Sequence, residues 1–93
     1  MDAAIRFLSV CSGYWDAVER GEKPFEVRRD DRGFQKGDTV ILQRWENRST
    51  PQCYTKSGSY YSIREITRKI TFVLTGGQFG IEPGYVVLGL SRK

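Results

Sequence analysis

The chain has 93 residues, a length that predicts one compact domain over residues 1–93 and excludes a two-domain enzyme with a deep catalytic cavity, because domains usually run to about 100–150 residues. The hydrophobic fraction of 39%, together with ten glycines, is ordinary for a folded globular protein. The net charge of +4 is unevenly distributed. Residues 1–46 carry eight Lys and Arg against nine Asp and Glu, whereas residues 47–93 carry seven Lys and Arg against two Asp and Glu. A positive field of this kind is typical of proteins with an anionic partner such as nucleic acid.

A strand and a short helix open the chain. An acidic second residue and Arg6 exclude an export signal over residues 1–11. We predict instead that this segment forms the first strand. A helix follows over residues 13–20, with Ser12 as its cap and Gly21 as its stop. No run approaches the roughly 18 apolar residues that a membrane span requires. We therefore predict a cytoplasmic protein with no membrane partner.

Two strands alternate with two polar segments in the middle of the chain. Residues 25–29 alternate apolar with charged side chains, as a half-buried strand does. Residues 30–38 have turn chemistry, with Phe34 folded back onto the core. A β-branched, apolar strand follows over residues 39–45. Residues 46–59 are predicted to form a long polar loop, and loops of that length are often functional.

The C-terminal part predicts two further strands. The apolar side chains of the first share one face: Ile66, Ile70, Phe72 and Leu74. Arg68 falls on that same face and indicates a bulge or the start of the strand. Gly76 and Gly77 then break the strand, and residues 85–90 form the last one. We assign four aromatic side chains to the core: Trp15, Trp45, Phe72 and Phe79.

These elements predict an α+β protein, a small and mostly antiparallel β-barrel of five or six strands with one or two short helices. Cys11 and Cys53 have no CxxC neighbour, and the chain has no histidine, which excludes ordinary zinc sites. We expect two reduced, structural thiols, with a single disulfide as the alternative. No metal and no cofactor are predicted, and the absence of a GxxxxGK[ST] loop excludes a nucleoside triphosphatase.

Two groups of residues are candidates for a functional site. Without histidine, a general base near neutral pH would be a perturbed carboxylate or lysine, and Lys23 with Glu26 is the pair that fits. The alternative is that these residues and Arg28 are structural charges. Arginine and lysine can neutralise phosphates, and tyrosine rings can stack on unpaired bases. The predicted nucleic-acid-binding residues are Lys23, Glu26, Arg28, Arg29, Arg32, Tyr60, Tyr61, Arg64, Arg68 and Lys69.

Three segments together resemble the activating-signal-cointegrator homology (ASCH) family, in its bacterial and phage branch of unknown function: residues 14–29, 32–38 and 80–90. The most specific element is Gly21-x-Lys-x-x-Glu-x-Arg28, followed ten residues later by Gly37-Asp38. The resemblance covers nearly the whole chain and implies a PUA-like barrel with a cleft beside the helix that holds RNA or a nucleotide.

Some ASCH relatives are N(4)-acetylcytidine amidohydrolases. The resemblance implies that their catalytic residues are a lysine at the position of Lys23, a threonine at the position of Glu26 and a later glutamate. Only Lys23 matches that set. The chain also departs from its own branch at Arg6, where a histidine is usual, and at Ser9, where a lysine is usual. Any role that the histidine and the lysine play in the branch is therefore not carried over to this chain.

The first hypothesis is therefore a monomeric module that binds single-stranded RNA or a modified nucleotide in a shallow basic cleft, and that is not an enzyme. The second is an amidohydrolase acting on an acylated cytidine through Lys23, with Glu26 as its companion. The third is a phage or prophage domain that binds a host protein through the surface of the barrel.

Overall fold

The computed structural model describes residues 3–47 and 59–93. Within these ranges the chain forms five strands and one helix, in the order β1, α1, β2, β3, β4, β5. The bounds are β1 Ile5–Cys11, α1 Ser12–Glu19, β2 Phe25–Arg29, β3 Thr39–Asn47, β4 Ser59–Thr75 and β5 Tyr85–Leu90. The prediction of a small α+β fold that is mostly β is confirmed.

All five strands belong to one curled sheet with the order β1-β3-β4-β5-β2. The pair β1 and β3 is parallel, and the other three neighbouring pairs are antiparallel. Because β1 and β2 are both edge strands of this sheet, backbone pairing among the described residues makes a half-barrel, where a mostly antiparallel barrel of five or six strands was predicted. We call the gap between the β1 and β2 edges the seam.

Helix α1 begins directly after β1 and lies against β3. Trp15 anchors it, because the indole is buried and its Nε1 donates a hydrogen bond to the Leu42 carbonyl at 2.8 Å. Gly21 ends the helix as predicted, with φ of +83°, a conformation that glycine adopts without strain. The predicted cap was wrong: Cys11 occupies the N-cap position, and Ser12 is already helical.

The core lies inside the half-barrel and draws on every element except β2. Its buried side chains are Leu8, Val10, Trp15, Val18, Phe34, Val40, Leu42, Ile70, Val86, Leu88 and Leu90. Phe34 folds back onto this core as predicted. The strand over residues 39–45 is longer than expected, since β3 continues to Asn47, and β4 already begins at Ser59.

Phe72 was wrongly assigned to the core and is 61% exposed. The register of β4 against β5 shifts between Ile70 and Phe72. A β-bulge adds one residue to a strand, so the side chains beyond it exchange faces. Ile70 therefore points inward, Phe72 points outward, and Val73 packs against the core again.

Phe79 was also wrongly assigned, and it is 80% exposed. It lies in a two-residue turn closed by the bridge between Gln78 and Ile81, and both Phe79 and Gly80 have positive φ, at 54° and 76°. Turns of this type join antiparallel strands tightly and direct the side chains at their tip into solvent.

Cys11 is disulfide-bonded, so the expectation of two reduced thiols was wrong and the alternative of a disulfide holds. Cys53 and the rest of the predicted loop from residue 48 to residue 58 lie outside the described residues. In the described ranges, no helix is long and apolar enough to cross a membrane.

Candidate functional site

An open cleft of about 370 Å³ lies at one end of the seam, between β1, β2 and the start of α1. We call it the polar cleft. Its polar lining residues are Ser9, Lys23, Glu26 and Arg28, and its remaining lining residues are Val10, Cys11, Tyr14, Val27 and Trp45. Ligand sites generally have volumes of about 300–1,000 Å³ and combine an apolar lining with a few polar groups, so the polar cleft is large enough for a small ligand.

Strand β2 exposes its apolar side chains and directs its charged ones inward, which is the reverse of an ordinary alternating strand. Phe25 and Val27 are 40% and 51% exposed, whereas Glu26 is only 4% exposed. Glu26 and Arg28 are paired in register with Leu88 and Val86, which are buried in the core. Since paired residues on neighbouring strands share a face, β2 directs a carboxylate and a guanidinium into the half-barrel.

The buried Glu26 carboxylate has two cationic neighbours. Lys23 Nζ donates a hydrogen bond to Glu26 Oε1, and Arg28 Nη1 lies 4.0 Å from Glu26 Oε2. Lys23 Nζ also donates to the Phe25 carbonyl at 2.9 Å and lies 5.5 Å from the centroid of the Tyr14 ring. The Lys23 and Arg28 side chains remain 19% and 26% exposed, so both side chains are partly accessible to solvent.

Three arginine side chains cross the seam, and one of them is Arg6 of β1, whose Nη2 donates to the Arg32 carbonyl at 3.2 Å. Arg28 Nη1 donates to the Ser9 carbonyl at 3.0 Å, and Arg32 Nη1 donates to the Phe7 carbonyl at 2.8 Å. These carbonyls belong to the edge strand β1. Side-chain hydrogen bonds thus connect the two edges where the described residues show no backbone pairing.

A second cleft, of about 230 Å³, lies on the other side of Arg28. We call it the arginine cleft. Its lining residues are Leu8, Val27, Arg28, Arg29, Asp31, Arg32, Phe34 and Tyr85. Arg29 lies 5.1 Å from the centroid of the Tyr85 ring, and its Nη2 donates to Tyr85 Oη at 3.3 Å.

The structure thus brings five of the predicted binding residues together at the seam: Lys23, Glu26, Arg28, Arg29 and Arg32. It places three others elsewhere. Arg64 pairs with Glu19 at 2.8 Å and lies over the Trp15 ring. Arg68 lines a third groove at the ends of α1 and β5, which shares no lining residue with the polar cleft, and Lys69 is exposed on β4.

Tyr60 and Tyr61 lie in β4, with their backbones paired to Glu46 and Trp45. The predicted role of their side chains falls outside the described part of the chain. Trp45, which we assigned to the core, is half-buried and lines the polar cleft.

An ion-pair network holds α1 on β3 near the polar cleft. Arg44 Nε donates to Asp16 Oδ1 at 2.9 Å, and Arg44 Nη1 also pairs with Glu46. The hydrogen bond from Arg44 holds the pKa of the Asp16 carboxyl below its ordinary value. The same two carboxylates raise the pKa of Arg44, the hydrogen bond with Asp16 contributing most. Asp16 and Arg44 therefore both remain charged at neutral pH.

The sequence pattern did not predict two features: two of the residues that line the polar cleft, and the structural role of Gly37-Asp38. Ser9 and Tyr14 line the polar cleft, although nothing in their local pattern distinguishes them from ordinary strand and helix residues. Gly37-Asp38, the most distant part of the family-like motif, is structural: the buried Asp38 accepts hydrogen bonds from the backbone N–H groups of Ala4 and Gln35, each at 3.0 Å.

Residues 5–90 match the family described as Domain of unknown function (DUF3850). The chain belongs to the DUF3850 family. Among relatives of this DUF3850 protein is the "Uncharacterized 12.9 kDa protein in GpA 3'region" of Escherichia phage P2, which is 40% identical over 45 residues. That match covers 48% of this chain and 41% of the phage protein, so the chain spans about two fifths of that relative's length. The predicted place in a phage-related family of unknown function is confirmed.

Proposed function

We propose that this DUF3850 protein binds single-stranded RNA or a nucleotide in the polar cleft. The observation that carries the proposal is the buried Glu26 carboxylate, flanked by Lys23 and Arg28, in the wall of an open cleft. Burying a carboxylate is costly unless it is paired, and here the partners are two cations that also reach solvent. A few polar groups that converge in the lining of a cleft are typical of ligand-binding sites.

The chemistry of the polar cleft matches the edge and the face of a nucleobase. A carboxylate accepts hydrogen bonds from the amino and imino N–H groups of a base, while lysine and arginine donate to its carbonyl oxygens or to phosphate. Tyr14 and Trp45 also line the cleft, and Lys23 Nζ lies 5.5 Å from the centroid of the Tyr14 ring. Stacking of a base on an aromatic side chain contributes about 1–3 kcal/mol.

We further propose that the half-barrel is an ASCH domain of PUA-like type. The resemblance implied a cleft beside the helix bordered by the Gly-x-Lys-x-x-Glu-x-Arg segment. Lys23, Glu26 and Arg28 of that segment line the polar cleft next to α1, which supports the proposal. An experimental structure in which these three side chains lie apart, on different surfaces, would contradict it.

The binding proposal is tested by titrating short single-stranded RNA and DNA oligonucleotides into ¹⁵N-labelled protein at low salt, and following the amide resonances. We expect shifts at Ser9, Tyr14, Lys23 and residues 25–28, and weaker binding as salt rises. Tyr14→Ala should weaken binding by about 1–3 kcal/mol. The control is Phe72→Ala, which removes an exposed ring on the outer face, 61% exposed against 46% for Tyr14. Absence of shifts for both RNA and DNA would refute the proposal.

A second candidate function is amide hydrolysis of an acylated cytidine. The contact between the Lys23 ammonium and the Glu26 carboxylate favours it, because the pair places a proton donor and a proton acceptor side by side in an open cleft. Water would add its hydroxyl group to the acyl carbon, and its proton would reach the exocyclic nitrogen as the C–N bond breaks. The products are acetate and cytidine when N(4)-acetylcytidine is the substrate.

Incubation with N(4)-acetylcytidine, followed by chromatography for cytidine, tests this activity. Wild-type protein should release cytidine, whereas Lys23→Ala and Glu26→Gln should not. Equal product from wild type and Lys23→Ala would remove the hydrolase candidate and leave the binding proposal standing.

A further inference from the structure

The arginine cleft adjoins the polar cleft, and the two share the side chains of Val27 and Arg28. We infer that the arginine cleft is a phosphate subsite, in which the phosphate group of the bound nucleotide lies among Arg28, Arg29 and Arg32. This inference rests on the proposed function and specifies its ligand, because it requires a base in one cleft and a phosphate in the other.

The charges of the two clefts indicate that the base lies in the polar cleft and the phosphate in the arginine cleft. Glu26 places a carboxylate in the polar cleft, which repels a phosphate and suits the N–H groups of a base edge. The arginine cleft has three guanidinium groups against the single carboxylate of Asp31, and that carboxylate is already 3.4 Å from Arg32 Nε. A net positive wall remains for the phosphate.

The guanidinium groups of the arginine cleft are held in place before any ligand binds. Arg28 and Arg32 each donate one N–H to a β1 carbonyl, and Arg29 donates one to Tyr85 Oη while lying over its ring. Each guanidinium has five N–H donors, so these contacts within the described residues leave others to meet phosphate oxygens. Positioned arginines form strong, charge-assisted hydrogen bonds with phosphate, and little side-chain freedom is lost on binding.

The experiment compares the four common ribonucleosides with their 5′- and 3′-monophosphates by NMR titration at low salt. We expect one monophosphate series to bind about tenfold more tightly than the nucleosides, which corresponds to about 1.4 kcal/mol. The monophosphates should shift the amides of Arg29, Arg32 and Tyr85 in addition to those of the polar cleft. Inorganic phosphate alone should shift the arginine-cleft amides without the others.

Arg29→Gln is the decisive variant, because Arg29 is exposed and borders only the arginine cleft. It should reduce monophosphate affinity to the level of the nucleoside, an effect of about tenfold, and leave nucleoside affinity unchanged. The control is Arg92→Gln, which makes the same change of charge at an exposed residue of the third groove. Its effect on either ligand should be less than twofold.

The outcomes separate the two proposals. If nucleosides bind in the polar cleft and neither monophosphate series binds more tightly, the phosphate subsite is wrong while the proposed function stands. An equal loss in Arg29→Gln and Arg92→Gln would show that only the overall charge matters, which also overturns the subsite. If nucleosides, monophosphates and RNA all fail to bind, both proposals fall.

Discussion

The pair formed by Lys23 and Glu26 should contribute more to stability than its position near the surface indicates. Removing one partner of a buried ion pair costs about 3–5 kcal/mol, whereas an exposed pair contributes about 0–1 kcal/mol. The Glu26 side chain is 6% exposed and that of Lys23 is 19% exposed, and Arg28 lies 4.0 Å away as a second cation. For Lys23→Met, we therefore expect a loss of about 2 kcal/mol, between the two limits.

The two single substitutions should differ in cost. Lys23→Met leaves the Glu26 carboxylate buried with only the more distant Arg28 as a cationic partner. Glu26→Gln removes the buried charge and leaves Lys23 with the Phe25 carbonyl and water, so the expected cost is below about 1 kcal/mol. In the double variant Lys23→Met/Glu26→Gln, no unpaired carboxylate remains, and the cost should be smaller than the sum by about 1 kcal/mol.

Urea denaturation of the four proteins at neutral pH measures this coupling, and thermal unfolding provides a second readout. For a domain of this size, about 2 kcal/mol corresponds to a fall in Tm of about 8–16 °C. The matched control is the pair formed by Arg20 and Glu22, whose side chains are 55% and 65% exposed and which should show no measurable coupling. If Glu26→Gln costs more than Lys23→Met, or if the single effects add, the inferred burial penalty is wrong.

Three further predictions concern residues that do not line any of the three clefts. The pKa of Asp16 is lower in the folded protein than its ordinary value of 3.8. The ion pair of Asp16 with Arg44 therefore stabilises the folded protein above that pH, and this stabilisation is lost as the pH falls through the folded pKa. Asp16→Asn should lower the free energy of unfolding at neutral pH and should flatten its dependence on pH below about pH 4. A methyl group on Gly76 would fall on the backbone carbonyl oxygen of Glu82, so Gly76→Ala should cost about 1–3 kcal/mol in urea denaturation, and an unchanged midpoint would contradict the close approach. Phe79→Asn should raise stability by about 1 kcal/mol, because asparagine tolerates the positive φ of this turn and the exposed ring packs little; a lower Tm would show that the Phe79 ring has a packing role.

Local sequence pattern was enough for most elements because their signals act over a few residues. Gly21 stops α1 through its own positive φ, and the bounds of β2 and β5 follow the predicted 25–29 and 85–90. The mistakes arose where pairing between strands decides the outcome. The bulge that turns Phe72 outward depends on the register of β4 against β5, and no property of the strand's own residues fixes which of its positions is left unpaired.

The charge asymmetry and the family-like motif identified the right residues for a candidate site, but not their arrangement. The positive second half of the chain is divided, with Arg64 against α1 and Arg68 in the third groove. The seam instead combines residues of β2 and the following turn with β1 and Tyr85. Contacts of this kind span up to 56 positions in the chain, as between Arg29 and Tyr85, and local periodicity has no access to them.

The alternation of residues 25–29 determined by itself that Glu26 and Arg28 share one face of a strand, since successive side chains of a strand point to opposite sides. It did not determine which face is buried, and the usual rule would have placed Phe25 and Val27 inside. The tertiary structure decided that question through the pairing of β2 with β5, whose buried Val86 and Leu88 fix the inner face. The open seam then gives the buried carboxylate its cationic partners and its access to water, which makes this strand the centre of the proposed site.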